Sequence, residues 1–222
     1  MTLAGAGESI AAPDSVMTRA LEDGPLGAVL EGKASVVIGP GLGTDEHAAA
    51  RLREVLASGL PATLDADALN LLAKTPEAIA TAEGSIVITP HPGEAARLLG
   101  TTSAQVETDR LAAARALATL TRSVVVLKGA RTIVCDGTIG DDHCAIIGAG
   151  GPGLATAGSG DVLAGVIGAF LGQGIAAGDA ARAAAFVHGR AGDELAKLHG
   201  ARGVISSDLA PAIADAIRVL SL

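Results

Sequence analysis

The sequence has no tryptophan and no tyrosine, and its only aromatic side chains are Phe170 and Phe186. Thirty glycines and a hydrophobic content of 49% therefore call for a core of Ala, Val, Ile and Leu with backbones in close approach. Cysteine is scarce too. Cys135 and Cys144 stand alone, without a CxxC or His-rich context. Their pattern predicts reduced, buried thiols in a cytosolic protein, in preference to a disulfide or a zinc site.

Positive charge is also short, with 16 Lys and Arg against 24 Asp and Glu and a formal net charge of −8. The cations are scattered singly instead of forming a stripe, which argues against nucleic acid as a partner. Long apolar runs are missing despite a mean hydropathy of +0.46. The longest, residues 162–177, contains Gly165, Gly168, Gly172, Gln173 and Gly174 and falls short of the roughly 20 residues needed to span a bilayer. No membrane span is expected. The first ten residues carry Glu8 and no basic cluster, so no secretory signal is visible and a cytoplasmic location is expected. No stretch has the composition of disorder, and the length suits one domain over residues 1–222.

What is present is alternation. "SVVIG" (35–39) leads to "EHAAARLREVLASG", "PATLDAD" to "ALNLLAK", "SIVITP" to "GEAARLLG", and a helical stretch at 103–120 leads to "SVVVLKG". Val and Ile runs without polar alternation predict parallel strands covered on both faces by helices. After Lys128 the runs "RTIVCDG" and "HCAIIGAG" follow too closely for crossover helices. They predict a hairpin extension, and hence a mixed sheet. Three helical patterns close the chain, at 155–172, 177–198 and 207–220.

In such sheets ligands bind at the carboxyl ends of the parallel strands. Four motifs fall there: "GPGLG" (39–43), "DAD" (65–67), "TPHPGE" (89–94) and "KGART" (128–132). A fifth, "GPGLATAGSGD" (151–161 after Gly150), precedes an apolar helix whose first N–H groups and dipole favour an anion. Gly158 and Gly160 allow backbone approach there, and Asp161 at the helix start has the chemistry of a general base towards a hydroxyl. Against this stands the commonplace alternative, in which Ser159 or Asp161 is only a helix cap. Lys128 offers a compact charge to a phosphate, with Thr132 and backbone amides as further donors. "GPGLG" matches neither the GxxxxGK(S/T) phosphate loop nor the GxGxxG dinucleotide fingerprint. His91, set between two prolines, has a fixed direction. Glu94 fits a first-turn acid; Asp65 and Asp67 have the chemistry to contact a ligand or metal, though a helix cap accounts for one of them. His188 and Asp193 are taken as interior helix packing.

In this order, "GPGLG", "LDADAL", "TPHPGEAARLL", "LKGART" and "GGPGLATAGSGDVLAGVIGAFLGQG" resemble the ATP- or ADP-dependent NAD(P)H-hydrate dehydratases of the ribokinase-like superfamily. The resemblance implies a three-layer α/β/α fold with a mainly parallel central sheet. It also implies dehydration of NADHX or NADPHX, the S epimer of nicotinamide hydrated at C6, to NADH or NADPH through phosphorylation of the hydroxyl from ATP or ADP. By position, Asp161 resembles the catalytic base and a substrate contact. Gly41, Gly43 and His91 resemble residues that hold the hydrated dinucleotide. Lys128, Gly129, Ala130, Arg131 and Thr132, with Gly158, Ser159 and Gly160, resemble the adenine-nucleotide and anion contacts. Mg2+ is implied as the nucleotide's partner, with no protein metal ligand assigned. A homo-oligomer, commonly a tetramer, and an NAD(P)H-hydrate epimerase are the implied partners.

Gly151 replaces the family's usual Asn and Leu154 its usual Met. The family also has roughly 40 further residues ahead of this start, a strand, glycine turn and helix on the scale of a βαβ unit. "MTLAGAGES" therefore resembles the family's second strand, and two expectations stand side by side: a truncated product, or an incomplete site lacking a dinucleotide contact and part of the sheet. Two other functions compete: a hydroxyethylthiazole or hydroxymethylpyrimidine kinase, which shares the glycine loop and Asp base, and a nucleotide-binding protein made inactive by the absent segment.

Overall fold

The computed structural model describes residues 2–5, 17–21, 25–140 and 143–220. Strands β1 (Thr2–Gly5) and β2 (Met17–Ala20) pair in parallel as a two-stranded sheet of their own. Within the stretch resembling the family's second strand, β1 lies outside the main sheet; residues 1 and 6–9 of that stretch lie outside those described.

The four apolar runs form β3 (Val36–Ile38), β4 (Ala62–Leu64), β5 (Ile86–Ile88) and β6 (Val124–Leu127), parallel neighbours in that order. The expected hairpin follows as β7 (Ile133–Asp136) and β8 (Cys144–Ile146), antiparallel to their neighbours, giving a mixed sheet ordered β3-β4-β5-β6-β7-β8. Alternate side chains divide between two cores. Val125 and Leu127 of β6 join Ile86 and Ile88 in one, while Val124 and Val126 join Val87 in the other. Every one of these positions is buried, which is why the runs lack polar alternation.

On the first face lie α2 (Glu46–Leu56), α3 (Asp67–Leu72), α4 (Pro92–Leu98), α5 (Ser103–Thr108) and α6 (Arg110–Thr121), preceded by the short α1 (Gly27–Leu30). The second face is covered by α7 (Ser159–Gly172) and α8 (Ala177–His199), and α9 (Ser206–Leu220) packs on α8. Small residues make the close contacts the composition required. A Cβ at Gly168 of α7 would come 2.3 Å from Val37 Cγ2, so the helix can press on β3 only with glycine there.

Three expectations are corrected. The helix expected over 103–120 breaks in two, because Asp109 at φ −143° leaves helical geometry and caps α6, accepting a hydrogen bond from Ala112 N at 2.9 Å. The helix expected from 155 begins at Ser159, since Gly158 takes the left-handed conformation at φ +81°. Cys135 and Cys144 are not reduced thiols but a disulfide. They stand directly opposite each other across β7 and β8 with Cα atoms 4.1 Å apart. A directly opposed pair in an antiparallel ladder brings two Cβ atoms within bridging range, and nothing in the spacing of nine announced that register. No helix among the described residues is long and apolar enough to cross a membrane.

Candidate active site

At the start of α7 the helix-capping alternative does not hold. Its cap position is Gly158, with no side-chain hydrogen bond to the first turn. The N–H groups of Gly160 and Asp161 meet no acceptor among the described residues. They add to the positive end of a 14-residue helix, an arrangement suited to an anion.

Facing this helix start are the ends of β4, β5 and β6. Asp65 follows β4 and is only 1% exposed. Its Oδ1 accepts from Lys128 Nζ at 2.6 Å. The same ammonium lies 3.8 Å from Glu94 Oε2. A Cβ built on Gly160 would be 3.4 Å from Lys128 Nζ and 3.9 Å from Asp65 Oδ2, so the ion pair touches the glycine loop itself. Buried pairs of this kind are costly to desolvate and add little to stability. Function is the better account of their placement.

Neither Asp65 nor Asp67 caps α3, contrary to expectation. The cap position is Ala66, at φ +48°. Asp67 Oδ2 instead accepts from Gly43 N at 2.9 Å, and Asn70 links onward to Arg97 Nε at 3.0 Å. Asp67 thereby ties the 39–43 loop to α3. The loop carries Gly41 and Gly43 at φ +65° and +79°, both exposed. Gly39, at φ +129°, is irreplaceable for a steric reason: a Cβ there would fall 1.7 Å from the Asp65 carbonyl oxygen.

His91 stands at the cap of α4. Its Nδ1 accepts from Gly93 N at 2.9 Å while Glu94 Oε2 accepts from His91 N at 2.7 Å, a reciprocal capping box. An accepting Nδ1 leaves the proton of the neutral ring on Nε2, 3.6 Å from Glu94 Oε1. Glu94 is therefore more than the expected first-turn acid, since one buried carboxylate holds both His91 and Lys128.

Asp161 is exposed on the first turn of α7. Its carboxyl is held above the ordinary 3.8, chiefly by partial burial and then by the negative charge of Asp65, with Lys128 pulling the other way. The expected base, lysine and glycine-loop amides thus come together at one point. The remaining predicted nucleotide residues, Gly129 to Thr132, form the turn between β6 and β7. Gly129, Ala130 and Arg131 are exposed, with Gly129 at φ +140° and Arg131 at φ +57°.

Two residues expected as plain packing on α8 hold the glycine loop at both ends. Asp193 Oδ2 accepts from Gly150 N at 3.0 Å. His188 Nε2 lies 3.0 Å from Ser159 O and 3.2 Å from Ser159 Oγ, and burial keeps the ring below its ordinary 6.5. The usable signal was polarity, because both lie in an otherwise Ala- and Gly-rich helix. Arg110, whose guanidinium donates to Lys128 O and Ala130 O of the turn after β6, was not anticipated; its signal was the Asp-Arg pair preceding an Ala-Leu run.

The profile of a family described as NAD(P)H-hydrate dehydratase matches residues 8–215. The bifunctional NAD(P)H-hydrate repair enzyme of Moorella thermoacetica is 44% identical over 206 residues, 87% of this chain and 38% of that protein. The ADP-dependent (S)-NAD(P)H-hydrate dehydratase of Neisseria meningitidis is 45% identical over 181 residues, 79% of this chain and 60% of that protein. The chain thus spans 38% to 60% of the length of these two relatives. The solved ADP/ATP-dependent NAD(P)H-hydrate dehydratase of Bacillus subtilis, co-crystallised with ATP and Mg2+, superposes with a TM-score of 0.77 at 26% identity. That match covers 92% of this chain and 72% of the other, and the layers are those of the ribokinase-like fold.

Proposed function

Because the chain belongs to the NAD(P)H-hydrate dehydratase family, we propose that it returns the S epimer of NADHX or NADPHX to NADH or NADPH at the expense of ATP or ADP. The observation that carries this is the convergence of Asp161, Lys128 and the unaccepted N–H groups of Gly160 and Asp161 at one point.

Asp161 takes the proton of the C6 hydroxyl as its oxygen attacks the terminal phosphorus of the nucleotide. The bond to the bridging oxygen breaks, and ADP leaves from ATP, or AMP from ADP. The helix start and Lys128 meet the charge on the phosphoryl group in transit. Phosphate, unlike hydroxide, is a good leaving group. It departs with the electron pair of the C6–O bond, a proton is lost from C5, and the ring double bond returns. Gly41, Gly43 and His91 hold the hydrated dinucleotide, while Lys128 to Thr132 and Gly158 to Gly160 hold the nucleotide.

Mg2+ enters as the nucleotide's own ion. Among the described residues no three His, Cys, Asp or Glu side chains group to ligate a metal, and Mg2+ held by phosphate oxygens and waters needs no such cage. Bound there, it neutralises phosphate charge. The proposal extends to a cytoplasmic homo-oligomer working beside an NAD(P)H-hydrate epimerase; relatives named as bifunctional repair enzymes support that pairing.

The test is recovery of NADH from purified hydrate, followed by absorbance with ATP, with ADP and with neither. Nucleotide-dependent recovery is the expected result. Phosphorylation of a vitamin alcohol without NADH recovery would instead establish the kinase.

A further inference from the structure

Arg110 is the first residue of α6, aimed by the break at Asp109. Its guanidinium is largely withdrawn from solvent, where a helix-start arginine would ordinarily extend. The side chain is 14% exposed and turned into the concave side of the turn after β6. There Nη2 donates to Leu127 O at 3.3 Å and Lys128 O at 3.1 Å, and Nη1 donates to Ala130 O. Three carbonyls within four residues thus converge on one planar group. Gly129, at φ +140°, completes the wrap, since a Cβ there would meet Nη2 at 2.7 Å. The acid beside it, Glu107, keeps Oε2 3.9 Å from Nε, so the principal partners of this cation are backbone oxygens.

A turn that spends three carbonyls on one guanidinium has its N–H groups and the Lys128 side chain directed elsewhere. We propose that Arg110 is a positioning residue of the nucleotide site, the template on which residues 127–130 fold so that Lys128 reaches Asp65 and the start of α7 while the turn keeps its outer face for the nucleotide. This rests on the assignment of the 128–132 turn to ATP or ADP. Arg110 itself touches backbone, not ligand. A fork of fixed geometry suits this task, and lysine, a point charge on a flexible stem, does not reproduce it.

The test compares wild type, Arg110→Ala and Arg110→Lys by calorimetric titration with ATP and ADP, and by separate KM values for nucleotide and hydrated dinucleotide. Expected is a roughly tenfold or greater weakening of nucleotide binding in Arg110→Ala, with the KM for the hydrate little changed. Lesser weakening is expected in Arg110→Lys, and partial rescue of Arg110→Ala by added guanidinium ion. Wild-type nucleotide affinity in a folded Arg110→Ala would overturn the inference, as would an equal rise in both KM values without guanidinium rescue. Should Arg110→Ala not fold, the same split in Arg110→Lys decides. Wild type separates the two claims: nucleotide binding without NADH recovery removes the dehydratase reaction and leaves Arg110 to be judged on affinity, whereas failure of wild type to bind either nucleotide overturns both.

Discussion

Lys128 Nζ and Asp65 Oδ1 lie 2.6 Å apart across 63 residues of sequence, joining the ends of β6 and β4 beneath the first turn of α7. Each charge acts on Asp161, and in opposite directions.

That opposition sets the pH dependence. In the proposed reaction Asp161 accepts a proton only as a carboxylate, so kcat/KM is expected to fall on the acid side at a pH above the ordinary 3.8. Asp65→Asn removes a neighbouring negative charge and moves this limb to lower pH; Lys128→Met removes a positive charge and moves it higher. Rate profiles of both variants check this, and limbs that stay put would exclude Asp161 as the titrating group. Stability follows the same carboxyl with its own sign. Between 3.8 and the raised value the native chain holds more protons than the unfolded chain, so falling pH through this window favours the fold.

Asp161→Asn keeps the shape of the first turn and removes the proposed base. Nucleotide affinity measured by calorimetry should remain near wild type, while kcat falls by about 10²–10⁴-fold, the usual range for a general base. A variant as active as wild type would contradict the assignment.

His188 predicts a different pH effect. Its buried ring protonates below 6.5, against a value near 6.5 when unfolded. In the window between, the unfolded chain binds more protons, so stability falls as pH drops below 6.5 and levels off beneath the native value. The urea midpoint should drop between pH values above and below this window in wild type, and drop less in His188→Gln; equal drops would clear His188 of the effect. Glutamine retains a donor for Ser159 O.

The bridge between Cys135 and Cys144 closes a loop of sequence separation nine. Constraint of the unfolded chain by a loop of that size is worth roughly 2–3 kcal/mol. Reduction should lower the thermal midpoint accordingly and leave nucleotide affinity little changed, since Cys135 pairs with Val125 and Cys144 towards the β7–β8 hairpin, while the 128–132 turn closes the opposite end of the ladder at Leu127 and Ile133. Calorimetric scans with and without a thiol reductant, with nucleotide titrated into both forms, measure the two quantities separately.

The runs at 62–64, 86–88 and 124–127 could be recognised as doubly covered strands because burial on both faces removes polar alternation; the run at 36–38, read the same way, is the edge strand, with Val37 exposed. The glycine segment could be recognised because an anion at a helix start needs N–H groups with no Cβ in front of them. Both are local consequences of residue type, written within a dozen positions. The capping role given to one of Asp65 and Asp67 was also a local argument, and it failed because stronger partners lay outside the window. Asp65 meets Lys128, and Asp67 meets the Gly43 amide.

By itself the sequence determined the layer architecture, the loop that presents Asp161, and a core of small aliphatic residues. Tertiary structure alone decided that Lys128 is held by two buried carboxylates, that Arg110 meets three carbonyls of the turn after β6, that His188 and Asp193 tether the glycine loop, and that the two cysteines meet. Strand order and helix packing set these contacts, by bringing together residues whose separation along the chain carries no record of their distance in space.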